Sequence, residues 1–266
     1  MTDTSAAIEV RGLSRTYGSQ VVLKKLDLTV QRGETLVILG PSGSGKSTLL
    51  RCLIGLERPD AGSVRIGGVD LARASGKELR ELRKRMGVAF QGGALFGSMT
   101  VAENIELPLR ELTDLPRPTR RIIARIKLGM VGLEDAMDRL PSELSGGMIK
   151  RAALARALAL DPDIVFFDEP SAGLDPVTAA GLDQLMCRLK RAVEATVVVV
   201  THEMTSAFAI ADRLALMHEG RFRVIGSPEE VRACTDPVVR HFLDRTPPAA
   251  GDSAARFRQF IEDLDV

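Results

Sequence analysis

The chain predicts an α/β fold, a parallel sheet interrupted by a helical insertion, and three observations carry that reading. A strand-like apolar run, Thr35–Leu39, leads straight into a glycine-rich loop, Gly40–Thr48. Two more apolar runs, Ile164–Phe167 and Thr196–Val200, flank a helix-spaced segment Pro176–Val193, the pattern of buried parallel strands joined by a crossover. Between Val101 and Leu160 the apolar residues fall at helical spacing, so a helical lobe separates the early strands from the late ones.

Taken in order, Ile8–Leu13 and Val21–Val30 read as strands, and the turn Gln31–Gly33 returns the chain into Thr35–Leu39. Gly40, Pro41, Ser42, Gly43, Ser44, Gly45, Lys46 and Ser47 then meet the whole G-x-x-x-x-G-K-[S/T] pattern, with Thr48 behind it. The glycines let the backbone curl with its N–H groups inward, and the helix Ser47–Leu53 adds the positive end of its dipole. Lys46 reaches β/γ-phosphates and Ser47 offers a hydroxyl to Mg²⁺. Such a loop holds polyphosphate, but alone it names no reaction. After Arg58–Gly62, Ser63–Gly68 reads as a hairpin arm and Met86–Phe90 as a core strand. Pro108, Pro116, Pro118 and Pro141 are expected to break the helices of the lobe. Beyond Asp236 the composition shifts, and Thr246–Ser253 reads as a linker. Phe257, Phe260, Ile261 and Leu264 follow at i, i+3, i+4 and i+7, one apolar stripe on a short final helix.

Composition bounds the function classes. At 266 residues the chain can bury one large core or a core with a smaller lobe. Hydrophobic residues make up 45% and charged residues 27%, as in folded α/β proteins, and with 4% aromatics and no Trp the core rests on Leu, Val, Ile and Ala. A net charge of +1 supplies no basic field of the kind nucleic acid demands, so no nucleic-acid partner is expected. Lys77–Arg85 and Arg117–Lys127 are basic runs at helical spacing that read as solvated faces, with lipid-headgroup contact the alternative. Cys52, Cys187 and Cys234 lack paired spacing, in keeping with a reducing cytosol. No apolar run approaches the roughly 20 residues that cross a bilayer, and no signal pattern opens the chain. Any membrane role is therefore expected to come through a partner.

Ile164–Phe167 ends in two carboxylates, Asp168 and Glu169, and ligands collect beyond the carboxyl ends of strands in an open α/β sheet. There Asp168 can hold Mg²⁺ while Glu169 orients or deprotonates a water in line with the γ-phosphate. The same pair can instead cap a following helix. Leu144, Ser145, Gly146 and Gly147 precede the helical run Ile149–Leu160 and make either a second anion site or an ordinary N-cap. In one order stand the phosphate loop, Gln91 after a strand, Leu144–Gly147, Asp168 and Glu169, Ser171–Asp175, and His202 after a strand. From about residue 6 to 230 this series resembles the ATPase subunit of an ABC transporter.

That resemblance implies an ABC-type P-loop ATPase core, a RecA-like parallel sheet with an antiparallel β subdomain, plus an inserted helical lobe and a C-terminal tail. The core is expected at 6–91 and 161–232, the helical signature lobe at 92–160 and the C-terminal extension at 233–266. It implies ATP and Mg²⁺ as cofactors, with Tyr17, the only tyrosine in the chain, stacked on the adenine. Glu169 is the implied base, His202 contacts the γ-phosphate, Gln91 touches Mg²⁺ and the attacking water, and Ser47 and Asp168 hold the metal. Ser145, Gly146 and Gly147 bind the nucleotide of a second copy, and Asp175 lies on the loop that crosses the dimer interface. Each ATP is then sandwiched between Lys46 of one subunit and Ser145 of the other, twice by two-fold symmetry. Met148 stands where the family mostly has Gln. Because backbone N–H groups and the Ser145 hydroxyl bind phosphate, this departure is expected to spare ATP binding.

Gln91–Phe96, Pro108–Pro116 and Met148–Arg156 together resemble the ATPases of Mla/Mce-type lipid transport systems. This implies an integral membrane permease, an Mce-domain lipid-binding protein, phospholipid as cargo, and a place on the cytoplasmic face of the bacterial inner membrane. An ABC ATPase for polar amino acids or other small solutes shares the same catalytic residues and is the rival. A soluble ABC protein of DNA repair or translation belongs to another class, and the chain has neither the tandem cassette nor the long heptad insertion for it. Intact Lys46, Asp168, Glu169 and His202 argue against a non-catalytic role. So short a stripe needs a surface to hold its helix, either the chain's own core or another chain reached through the linker, and the Mla/Mce resemblance implies that 254–266 strengthens the dimer or its complex.

Overall fold

The computed structural model describes residues 6–245; the linker and the apolar stripe of the tail lie outside the described residues. The first third of the chain holds β1 (Ala6–Tyr17), β2 (Gln20–Gln31), β3 (Thr35–Leu39), α1 (Lys46–Leu53), β4 (Ala61–Ile66), β5 (Val69–Asp70), α2 (Gly76–Lys84) and β6 (Met86–Ala89). The helices α3 (Val101–Leu112), α4 (Arg117–Met130) and α5 (Gly146–Ala157) follow, with 3₁₀ turns at Glu134–Ala136 and Pro141–Glu143. Then come β7 (Ile164–Asp168), α6 (Pro176–Val193), β8 (Thr196–Thr201), α7 (Met204–Ile210), β9 (Arg213–His218), β10 (Arg221–Gly226), α8 (Pro228–Ala233) and α9 (Pro237–Leu243). The hairpin β9–β10 and the helices α8 and α9 are elements the sequence reading did not propose.

Two sheets form. One is antiparallel, in the order β2-β1-β4-β5; the other has six strands in the order β10-β9-β3-β8-β7-β6, parallel from β9 to β6 with β10 added antiparallel at the edge. Every residue of β3 and β8 is buried, as expected of strands covered on both faces. Because side chains alternate along a strand, these all-apolar runs feed two cores at once. Val37 and Leu39 of β3, Val165 and Phe167 of β7, and Val197 and Val199 of β8 pack against the lobe helices and α6. Leu36 and Ile38, Ile164 and Phe166, and Val198 and Val200 pack toward α1 and the antiparallel sheet. The three cysteines are unbridged, and burial pushes the Cys52 thiol up to about 11, so it packs as an apolar residue.

One expected break is absent. Pro108 lies inside α3. A proline in a helix interior costs about 3 kcal/mol, yet Val101, Ala102, Ile105 and Leu109 of the same helix are each at most 2% exposed, and each large apolar side chain so buried returns roughly 1.5–3 kcal/mol. Packing therefore carries the helix through the ring. Pro116 and Pro118 sit at the N-cap and first turn of α4, and Pro141 opens a 3₁₀ turn, where a missing N–H leaves no helical bond unmade. The basic run of α4 is also less uniform than expected, since Lys127 is 5% exposed and bonds Asp161. Asn104, fully buried, ties the turn before α3: it accepts from the Phe96 N–H at 2.8 Å and donates to the carbonyls of Phe96, Met99 and Thr100.

Candidate active site

The parallel ladder brings the chemistry to one edge. Leu39 pairs with Thr201, Asp168 with Val200 and Ala89 with Phe167, so β3, β8, β7 and β6 end side by side. The residues that follow those ends are Gly40, His202, Glu169 and, two on from Ala89, Gln91. A cleft of about 370 Å³ there is lined by Gly43, Gly45, Lys46, Ser47, Thr48, Gln91, Glu169 and His202, together with Ser42 and Val22. The sheet's carboxyl edge is where ligands bind in folds of this kind.

The loop is shaped by close approach. A Cβ on Gly40 would lie 2.2 Å from the Met217 carbonyl oxygen of the adjoining strand, which excludes any side chain. Gly45, at φ 103, is the N-cap of α1 and turns the chain from the loop into the helix. Lys46 is 6% exposed; its Nζ donates to the Gly40 and Pro41 carbonyls at 2.8 and 2.9 Å, and burial lowers its pKa against the opposing pull of Glu169 and Asp168.

The carboxylates behave differently from one another. Among the described residues Asp168 Oδ1 is buried without a hydrogen-bond partner, and burial, then the neighbouring Glu169 charge, pushes the Asp168 carboxyl above its ordinary value. Glu169 has φ 49, a left-handed backbone rare outside glycine, and its N–H donates to the Val200 carbonyl at 2.8 Å. Its Oε2 accepts from the Thr201 hydroxyl at 3.0 Å and the His202 N–H at 3.3 Å, and its Oε1 lies 2.9 Å from His202 Nδ1. Neither acid caps α6. That role belongs to Asp175, which accepts from the N–H groups of Val177 and Thr178 at 3.1 and 3.0 Å; the hydrogen bonds from Thr178 chiefly hold its carboxyl below the usual range.

Ser145 is the N-cap of α5, its Oγ accepting from Met148 N–H at 3.3 Å, and Gly146 and Gly147 form the first turn rather than a loop. A Cβ on Gly147 would meet the Thr178 methyl at 3.0 Å, so the glycine allows α5 to approach the start of α6. Ser145 and Asp175 do not line the Lys46 cleft. Tyr17, 41% exposed at the end of β1, also stands outside it; its hydroxyl bonds Glu57 and the Arg15 guanidinium lies 4.8 Å from its ring centre. Thr201 and Lys150 were not singled out from the sequence. Thr201 had a signal, a buried hydroxyl closing an apolar strand; Lys150 had none, because its partners come from two other elements. A larger cleft, about 590 Å³, lies between α7, α8 and α9 near Phe208, Arg232 and Arg240, away from the phosphate loop.

Loop, parallel edge and acidic strand end define a P-loop nucleotide-binding protein of the α/β class. The family model described as ABC transporter matches residues 23–172, more than half of the chain. The chain belongs to the ABC transporter family, as an ATP-binding cassette. Among its relatives, the "Probable ribonucleotide transport ATP-binding protein mkl" of Mycobacterium tuberculosis is 45% identical over 238 residues, 90% of this chain and 66% of that protein. The chain thus spans about two thirds of the length of mkl. The "Intermembrane phospholipid transport system ATP-binding protein MlaF" of Escherichia coli K12 is 44% identical over 237 residues, 89% of this chain and 88% of that protein. A dimeric ATP-binding cassette solved in a post-hydrolysis state with ADP and Pi superposes with a TM-score of 0.77 at 34% identity, over 83% of this chain and 98% of that one. Among the described residues no helix is long and apolar enough to cross a membrane.

Proposed function

We propose that this chain is the ATP-hydrolysing subunit of an ABC transporter that moves phospholipid, working beneath a separate membrane permease on the cytoplasmic face of the inner membrane. The observation that carries the chemistry is the Glu169 carboxylate, fixed by Thr201 and His202 in the cleft that also holds Lys46 and Ser47. The cargo rests on the near end-to-end relationship to MlaF.

The N–H groups at the start of α1 and the Lys46 ammonium take the β/γ-phosphates, and Tyr17 takes the adenine. Ser47 and Asp168 suit Mg²⁺, with Gln91 on the same cleft as Ser47: Asp168 Oδ1, buried and without a partner among the described residues, is an oxygen that a cation would satisfy, and burial of its charge is the cost a cation offsets. When bound, Mg²⁺ neutralises charge on the β/γ-oxygens. Glu169 Oε1 accepts the proton of the attacking water, and His202, hydrogen-bonded to it, holds the carboxylate in place and faces the γ-phosphate. Ser145, Gly146 and Gly147, outside this chain's own cleft, serve the nucleotide of a second copy, with Asp175 at the seam. The division of labour follows: 6–91 and 161–232 hold nucleotide, 92–160 carries the signature and meets the permease, and 233–266 serves assembly with partners. An Mce-domain protein is the expected lipid carrier.

The mkl relationship favours a second reading, ribonucleotide transport. Deleting the gene separates the two. Altered outer-membrane phospholipid distribution with normal ribonucleotide uptake is the expected result; lost uptake with unchanged lipid would assign the cargo to the second reading. Copurification in mild detergent of a permease and an Mce-domain chain tests the partners.

A further inference from the structure

The helix that begins at Ser145 grips both sides of the cleft edge. Lys150 Nζ donates to the Gln91 carbonyl and, at 3.2 Å, to the Glu169 carbonyl, which also accepts from Ala172 N–H at 3.3 Å. Farther along the same helix, Arg156 donates to the carbonyls of Ala94 and Gly93 at 2.7 and 2.8 Å. Ile149 presses on Gly93 so closely that a Cβ there would lie 2.7 Å from its Cγ2. Gly93, Ala94 and Glu169 all have positive φ, at 76, 48 and 49. Ala94 and Glu169 are not glycine, so their conformations persist only where the surroundings hold them.

β6 and β7 are neighbours, and the chain segments leaving them present the Gln91 and Glu169 carbonyl oxygens to a common point. Two such oxygens repel unless a cation stands between them. We infer that Lys150 is a positioning residue for hydrolysis: its ammonium bridges the Gln91 and Glu169 backbones, so α5 sets the spacing between the two side chains that address the attacking water. Burial works against that charge, and the nearby Glu169 and Asp168 carboxylates sustain it. Ser145 is the N-cap of α5, so one helix joins the proposed contact for the other copy's nucleotide to this chain's own Glu169. This rests on the proposed roles of Glu169, Gln91 and Ser145.

The test compares Lys150→Met and Lys150→Arg in the purified full chain, reading kcat, the KM for ATP and the thermal midpoint. Lys150→Met should lower kcat about 10-fold, equivalent to about 1.4 kcal/mol of barrier. The KM should stay within about twofold, as for an interaction that acts after binding. Lys150→Arg, which keeps charge and donors, should restore most of the rate. Wild-type kcat in the Met variant, a matching rise in KM, or an Arg variant no faster than Met would each overturn the proposal. Where the Met variant is thermally weakened, Lys150→Gln, a donor without charge, takes its place under the same outcomes. Glu169→Gln runs alongside: hydrolysis surviving that change removes the base assignment itself, whereas an inactive Glu169→Gln with a fully active Lys150→Met removes only the bridge.

Discussion

Changing Glu169 to Gln isolates the proton-accepting role from everything else the side chain does. The residue is 8% exposed, and its carboxylate meets three partners, the Thr201 hydroxyl at 3.0 Å, the His202 N–H at 3.3 Å and His202 Nδ1 at 2.9 Å. A glutamine can leave its oxygen on Thr201 and the His202 N–H and turn its amide toward Nδ1, which accepts in one imidazole tautomer. No hydrogen bond need be lost, so the thermal midpoint should move little. The amide cannot take a proton at neutral pH. Removing a general base costs roughly 10²- to 10⁴-fold, so kcat should fall at least about 100-fold, or about 2.7 kcal/mol of barrier. ATP affinity should persist, because Lys46, Ser47 and the loop are untouched. Phosphate release at saturating ATP measures the rate, and light scattering measures the nucleotide-loaded dimer, which should accumulate. Hydrolysis within about threefold of wild type at unchanged KM would refute the assignment and leave Glu169 as a structural anchor for His202.

Lys46→Ala removes the buried ammonium and should weaken ATP binding by roughly 10- to 150-fold, the worth of a charge-assisted hydrogen bond of about 1.5–3 kcal/mol; titration with a fluorescent ATP analogue checks this, and unchanged affinity would remove Lys46 from the phosphates. The Asp168 carboxyl is raised by burial above its ordinary 3.8, so the folded protein takes up a proton before the unfolded chain does, and stability is lost as pH rises from that value through the raised folded one. Asp168→Asn should remove this group's share of the slope and raise the metal-free thermal midpoint above that window while ending Mg²⁺-dependent hydrolysis; calorimetry showing a steeper slope in the variant would contradict the sign. Asn104→Ala leaves the Phe96 N–H without its 2.8 Å partner and should cost at least about 1–3 kcal/mol, read in denaturant melts; a loss under about 0.5 kcal/mol would mean water replaces the side chain.

The chain's local chemistry carries much of this protein. The phosphate loop is legible because its pattern occupies eight consecutive residues, with Gly45 at the N-cap and Lys46 at the helix start, although the close approach of Met217 that demands glycine at position 40 is not written in that stretch. The runs Thr35–Leu39, Ile164–Phe167 and Thr196–Val200 announce buried strands because an all-apolar strand is stable only when both faces are covered. The helix Pro176–Val193 begins and ends as its spacing predicts, with Asp175 and Pro176 supplying cap and first turn. What the line of residues cannot express is register and approach. Whether Pro108 breaks a helix depends on how much apolar surface that helix buries elsewhere, and here burial outweighs the ring. The partners of Glu169 are Thr201 and His202, more than thirty residues away, brought within 3.3 Å because β7 and β8 pair in parallel. Lys150 looks like any surface lysine on a basic helix until α5 packs beside β6 and β7 and two carbonyls meet its ammonium. Sequence determines elements whose stability is local, whereas a contact between strand ends exists only once the sheet has ordered them, since its energy comes from groups that share no segment of chain.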